Sequence, residues 1–173
     1  MNRGKKIVLV SHCILNQNSV VKPYGRKTED FKDILMRLIE ENIGIIQLPC
    51  PEISLYGLKR WGHVKDQFET PHFRKQSKLL IENILDNIIE YKSNGYEILG
   101  VIGIKGSPSC GITTTCRGDW NGSLGRGDIE EKLKSLRNVN EAGVFMEILK
   151  DSLVGIDVEV DFYDDFDKFI ERL

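Results

Sequence analysis

The sequence predicts an α/β fold built on a mainly parallel sheet. Three observations predict it. Short apolar runs at 6–11 (KIVLVS), 45–48 (IIQL) and 97–104 (EILGVIGI) have the continuity of strands buried on both faces. Segments of helical apolar spacing lie between them. The connections are long enough for right-handed crossovers, so strand, helix, strand, helix, strand becomes a set of parallel βαβ units. The chain has 173 residues, 40% apolar and 29% charged, which suits one domain over 1–173 with a sizeable core.

The elements follow in order. Residues 6–11 form the first strand. Thr28 is placed to cap a helix over 29–42, whose Phe31, Ile34, Leu35, Leu38 and Ile39 have helical spacing, and Gly44 stops it. The second strand, 45–48, runs into Pro49-Cys50-Pro51-Glu52. Residues 52–69 read as a long loop carrying Tyr56, Arg60, Trp61, His63 and Asp66. Thr70 and Pro71 open a long helix as N-cap and first helical residue, with Leu80, Ile81, Ile84, Leu85 and Ile88 as its stripe and Gly95 at its end. The third strand, 97–104, runs into Lys105-Gly106-Ser107-Pro108-Ser109-Cys110-Gly111.

The stretch 118–127 (GDWNGSLGRG), with four glycines and one tryptophan, reads as a mobile loop or lid. Asp128 is placed to cap a short helix with Ile129, Leu133 and Leu136. A helix over 140–152 carries Val144, Phe145, Ile148 and Leu149. Residues 156–162 (IDVEVDF) alternate apolar and acidic, as a strand nearer the sheet edge does. A last helix, 164–172, packs Phe166, Phe169 and Ile170. The expected sheet has the first strand between the second and third, all parallel, with crossover helices on opposite faces.

Net charge is −2, so the chain carries no strong nucleic-acid signal and no general attraction to anionic lipid. The N-terminal apolar run of about five residues is too short for a signal segment or a membrane span, and a cytoplasmic protein is expected. No feature fixes an oligomeric state.

Cys13, Cys50, Cys110 and Cys116 match no zinc-finger, ribbon or CxxC spacing. Their topology says more. Cys13, Cys50 and Cys110 each follow the carboxyl end of one of the three strands, where parallel sheets place ligands. Three distant cysteines therefore converge on one sheet edge. The plainer reading is three small buried hydrophobes. Converging thiolates suit iron–sulfur clusters, zinc or copper. Three leave a metal position open for substrate; four close it, as in electron transfer or structural sites. Cys116, behind Thr113-Thr114-Thr115, is a neutral thiol, a fourth ligand or a redox thiol.

The segments VSHCILNQNS, PCPEISLYGLKRWG and GIKGSPSCG, in that order, resemble the 2-thiouracil desulfurase family, with the chain as a divergent desulfidase-like relative. The resemblance runs over roughly residues 6–150. It implies a single-domain, Rossmann-like three-layer sandwich. It implies a 4Fe–4S cluster held by Cys13, Cys50 and Cys110 with one iron open. It also implies an iron–sulfur-dependent desulfurase that takes sulfur from the thiocarbonyl of a small, thiouracil-like compound while water supplies oxygen. The first loop, CILNQNS in place of a CLLG-like stretch, and the region around Cys116 depart from the pattern. The substrate is therefore not carried over with the cluster.

Attack by water on the carbon bearing sulfur needs a base and a way to neutralise developing charge. Glu52, two residues after Cys50, is the candidate base; a helix or turn cap is its other reading. Ser109 and Ser107 are placed to act at the reacting group, to orient substrate or to donate to cluster sulfur, with turn capping beside Pro108 as the alternative. Arg60 and Trp61 have the chemistry to stack on a planar heterocycle or to anchor the loop. Asn16 can bond a base edge or shape a turn. His12, His63, His72 and Lys105 read as structural or solvated. A non-catalytic iron–sulfur or zinc binding, sensing or sulfur-carrier module is the competing function. A thiol phosphatase or arsenate reductase relative is excluded, because Ser19 and Cys116 stand where the CxxxxxR loop requires arginine, and a dinucleotide-binding reading fails, because no GxGxxG follows the first strand.

Overall fold

The computed structural model describes residues 3–22, 29–123 and 129–173. In chain order the elements are β1 (Lys6–Val10), α1 (His12–Leu15), α2 (Glu29–Glu40), β2 (Gly44–Gln47), α3 (Pro51–Tyr56), α4 (Lys65–Phe68), α5 (Pro71–Ser93), β3 (Glu97–Ile102), β4 (Thr115–Arg117), α6 (Ile129–Ser135), β5 (Arg137–Val139), α7 (Val144–Val154), β6 (Phe162–Tyr163) and α8 (Phe166–Ile170). A 3₁₀ turn, Gln17–Ser19, follows α1.

The main sheet has the order β2-β1-β3-β6, with every pairing parallel. β1 lies between β2 and β3, as its unbroken apolar run requires. Its alternate residues divide between two cores. Ile7 and Leu9 pack with Ile98 and Val101 of β3 against Phe73, Ile81 and Ile88 of α5 and Phe145 and Leu149 of α7. Val8 and Val10 pack with Leu99 and Ile102 against Phe31, Ile34 and Leu38 of α2 and Phe169 of α8. Helices thus cover both faces in a Rossmann-like α/β sandwich, with the crossover helices α2 and α5 on opposite sides. Each fully buried side chain of this size contributes about 1.5–3 kcal/mol.

Thr70 caps α5 as its sequence indicates: its hydroxyl accepts from the Phe73 amide at 3.1 Å, and Pro71 occupies the first turn. Thr28 and Asp128, expected as caps, lie outside the described residues. Ile39, expected on the buried stripe of α2, is 65% exposed.

Three expectations are corrected. The 52–69 loop contains two helices, α3 and α4; at six and four residues they are too short to show a periodicity. The edge strand over 156–162 shrinks to Phe162–Tyr163. Its alternation comes from burial, not from a ladder, because Val158, Ile156 and Val160 turn one face onto the α5 core. The chain after Cys110 forms an unexpected antiparallel hairpin, β4 with β5. Within the expected lid, residues 118–123 are tied down: the Gly118 amide donates to Asp66 at 3.1 Å and the Trp120 indole donates to the Gly62 carbonyl at 3.0 Å. Residues 124–127 lie outside the described residues. Among the described residues, no helix is long and apolar enough to cross a membrane.

Candidate active site

The carboxyl ends of β1, β2 and β3 each release a loop that carries one cysteine. Cys13 sits in the single turn of α1. Two glutamines hold this turn: Gln47, the last residue of β2, donates to the His12 carbonyl at 2.8 Å, and Gln17 donates to the Cys13 carbonyl. A lone amide at the end of a partly buried apolar strand favours a polar partner, and Gln47 in IIQL was the available signal for this contact.

Cys50 is the N-cap of α3. Its sulfur accepts from the Ile53 amide at 3.5 Å, and Pro51 fills the first helical position. Burial pushes the Cys50 thiol up. Cys110 lies in the loop Ser107–Gly111. The Ser107 hydroxyl accepts from the Cys110 amide at 3.0 Å, and the Ser107 carbonyl accepts from the Thr115 hydroxyl at 3.0 Å.

The loop also docks on α7. The first free amides of that helix donate to the loop's carbonyls: Gly143 to Gly111 (2.9 Å), Val144 to Pro108 (3.1 Å) and Phe145 to Ser109 (3.0 Å). The approach is so close that a Cβ on Gly143 would stand 2.5 Å from the Ser109 carbonyl. Nothing in the local sequence announced that role for Gly143.

The Cys110 thiol is pushed well above its ordinary range, first by burial and then by the nearby thiols of Cys13 and Cys50. The three cysteines from three strands are therefore electrostatic neighbours. Among the described residues, however, no group of three or more His, Cys, Asp and Glu side chains is arranged to hold a metal ion. Cys116 stands in β4 opposite Asn138, where burial and Asp66 raise its thiol. No disulfide joins any of the four cysteines.

Beside the trio, Glu52 is buried at 8% exposure with both carboxylate oxygens engaged. Oε1 accepts from the Ser109 hydroxyl at 2.6 Å, and Oε2 accepts from Arg60 Nε at 3.0 Å. Ser109 Oγ is also 3.7 Å from Cys110 Sγ and 3.3 Å from Ser107 Oγ. Glu52, Ser107, Ser109 and Arg60 are thus brought together with the cysteines. The other two expected substrate contacts are placed differently. Trp61 projects outward at 71% exposure. Asn16 shapes its turn, its side-chain oxygen accepting from the Asn18 amide at 3.2 Å.

His63 packs at a tilt against both Tyr56 (4.8 Å) and Phe68 (5.0 Å), and burial lowers its pKa. This aromatic group, continued by Phe73 at 4.3 Å from Phe68, backs the end of α3. Farther out, Lys65 is buried and pairs with Glu141 at 2.9 Å and with Glu147 of α7, while Arg117 of β4 pairs with Asp66, Glu69 and Glu141. The network fastens α4 and the hairpin to the helix that holds the Cys110 loop.

The profile of the family described as "Putative 2-thiouracil desulfurase" matches residues 5–122. The chain belongs to the 2-thiouracil desulfurase family. An uncharacterized protein of Methanocaldococcus jannaschii is 43% identical to it over 110 residues, covering 64% of this chain and 70% of its own length. No solved structure matches. The desulfurase-family match spans all three strand-end cysteines with Glu52, Arg60, Ser107 and Ser109, and it ends before α6. Gly143 and α7, which hold the Cys110 loop of this desulfurase-family chain, come after it.

Proposed function

We propose that this protein removes sulfur from a small thiolated compound, with a 4Fe–4S cluster on Cys13, Cys50 and Cys110 as its cofactor. The observation that carries the reading is the arrangement around Cys110: two further thiols act on it, and a buried hydroxyl–carboxylate pair lies against it. The donors fit such a group. All three are soft thiols, and a cluster takes its thiolates through different irons, so its ligands need to border one cavity but not to meet at one point. When bound, the cluster supplies a soft Lewis acid that polarises a carbon–sulfur bond and accepts the departing sulfur.

The chain's own residues supply the proton chemistry. The overall change is hydrolysis: one carbon–sulfur bond breaks, one carbon–oxygen bond forms, and no net electron moves. Glu52 is buried and both its oxygens are engaged, so a proton reaches it through Ser109. As Ser109 takes a proton from the attacking water, it passes its own to Glu52 Oε1, to which it already donates at 2.6 Å. Ser107, 3.3 Å from Ser109, lies on the less buried side of this pair and orients the compound's polar edge. The competing closed four-thiolate reading needs Cys116, which stands in the β4–β5 hairpin with Asp66 of α4 as its charged neighbour. The test is anaerobic incubation with 2-thiouracil and related thiocarbonyl compounds, following sulfide release. Release that depends on Cys110 supports the reading; no release from any of them, with the cluster loaded, removes it.

A further inference from the structure

Arg60 has the chemistry to stack on a substrate ring, yet its side chain is only 4% exposed and each of its three guanidinium nitrogens donates a hydrogen bond within the protein. Nε donates to Glu52 Oε2 at 3.0 Å, Nη2 to the Ser19 carbonyl at 2.8 Å and Nη1 to the Gly57 carbonyl at 3.3 Å. Ser19 ends the turn that follows Cys13. Gly57 closes α3, the helix that Cys50 caps, with a φ of 73° that favours glycine and folds the chain back toward Arg60. Glu52 passes the connection on to Ser109, the neighbour of Cys110.

We infer that Arg60 is a positioning residue: a buried strap, continued through Glu52 and Ser109, that holds the three cysteine-bearing loops in register and does not contact substrate. The inference rests on the proposed site only for its consequence in catalysis; the strap itself is a property of the cluster-free chain. Arginine is required because one rigid, planar fork reaches three acceptors on two loops at once. A lysine ammonium at the same place can satisfy one of these directions. Without the guanidinium, Glu52 keeps a desolvated charge with no cation beside it, so the loops that meet there separate.

The test is alkylation of the reduced, cluster-free full-length protein by iodoacetamide, with the rate at each cysteine read by mass spectrometry. Cys116, in the hairpin, is the internal reference. Wild type is compared with Arg60→Ala and Arg60→Lys. The strap predicts that Cys13 and Cys50 react faster in both variants, by about tenfold or more, while Cys116 is unchanged. It also predicts that methylguanidinium slows the Arg60→Ala rates again. Arg60→Lys keeps a cation opposite Glu52, so it decides the matter if Arg60→Ala fails to fold. Wild-type rates at Cys13 and Cys50 in Arg60→Lys overturn the inference. In loaded protein the strap predicts a lower kcat at unchanged KM for Arg60→Lys; a raised KM with wild-type alkylation rates identifies a substrate contact and also overturns it. If wild type releases no sulfide from any thiocarbonyl compound while alkylation follows the strap pattern, the proposed function fails and the strap stands.

Discussion

The Ser109 hydroxyl donates to the Glu52 carboxylate at 2.6 Å across 57 residues of sequence. This bond joins the loop after β3 to the helix after β2, directly beside Cys110. A hydroxyl that hands its only proton to a carboxylate offers lone pairs to everything else. Ser109 therefore accepts from whatever enters the site, and Glu52 acts through it.

Removing either partner should stop proton transfer without emptying the site. Glu52→Gln and Ser109→Ala should each lower sulfide release by about 10²–10⁴-fold, the usual worth of a general base. Iron content should stay at the wild-type level. The measurement is anaerobic sulfide release normalised to iron. Wild-type turnover in Glu52→Gln would reduce Glu52 to the helix-cap role its position in α3 also permits.

Gly143→Ala should destabilise the fold by about 1–3 kcal/mol, since its Cβ would press on a well-packed backbone contact. That atom would lie 2.5 Å from the Ser109 carbonyl and 2.9 Å from the Gly111 amide. The strain falls on the Cys110 loop, so iron retention should drop together with the denaturation midpoint. An unchanged midpoint in urea would mean that α7 does not hold the loop.

Much of this arrangement was legible from the residues, for identifiable reasons. KIVLV showed itself as a central strand because both its faces are buried, and the three cysteines follow the carboxyl ends of three parallel strands, as their places after the apolar runs indicated. Thr70-Pro71 marked the start of α5 through the chemistry of capping. The connections between loops were not legible. Arg60 joins α3 to the turn after Cys13, two segments that meet only in the fold, and a loop arginine looks the same whether it is buried or solvated. The β4–β5 hairpin has only three residues in each strand, too few for a period. Gly143 matters through a contact with residues more than thirty positions away. The alternation in IDVEVDF was real but reported a buried face, and only its last residue, Phe162, joins a ladder.

Stability should fall in acid through the network around Arg117. Arg117 first and Lys65 second pull Glu141 from its ordinary 4.5 to about 2. A carboxylate lowered by folding stabilises the native state above its unfolded pKa, and that contribution is lost as pH falls through its folded pKa. The Tm difference between wild type and Glu141→Gln should therefore be fully present at neutral pH and shrink between about pH 4.5 and 2. Thermal melts across that range provide the check; a difference independent of pH would show that Glu141 contributes through packing and not through its charge.

The central claim, that Cys13, Cys50 and Cys110 form one site, is tested most directly by iron and acid-labile sulfide analysis of anaerobically purified protein, with each cysteine changed to serine in turn. The account predicts about four irons and four sulfides per chain in wild type. It predicts their loss in Cys13→Ser, Cys50→Ser and Cys110→Ser, and wild-type content in Cys116→Ser. A single zinc without sulfide, or loss of metal in Cys116→Ser equal to that in the other three, would contradict it.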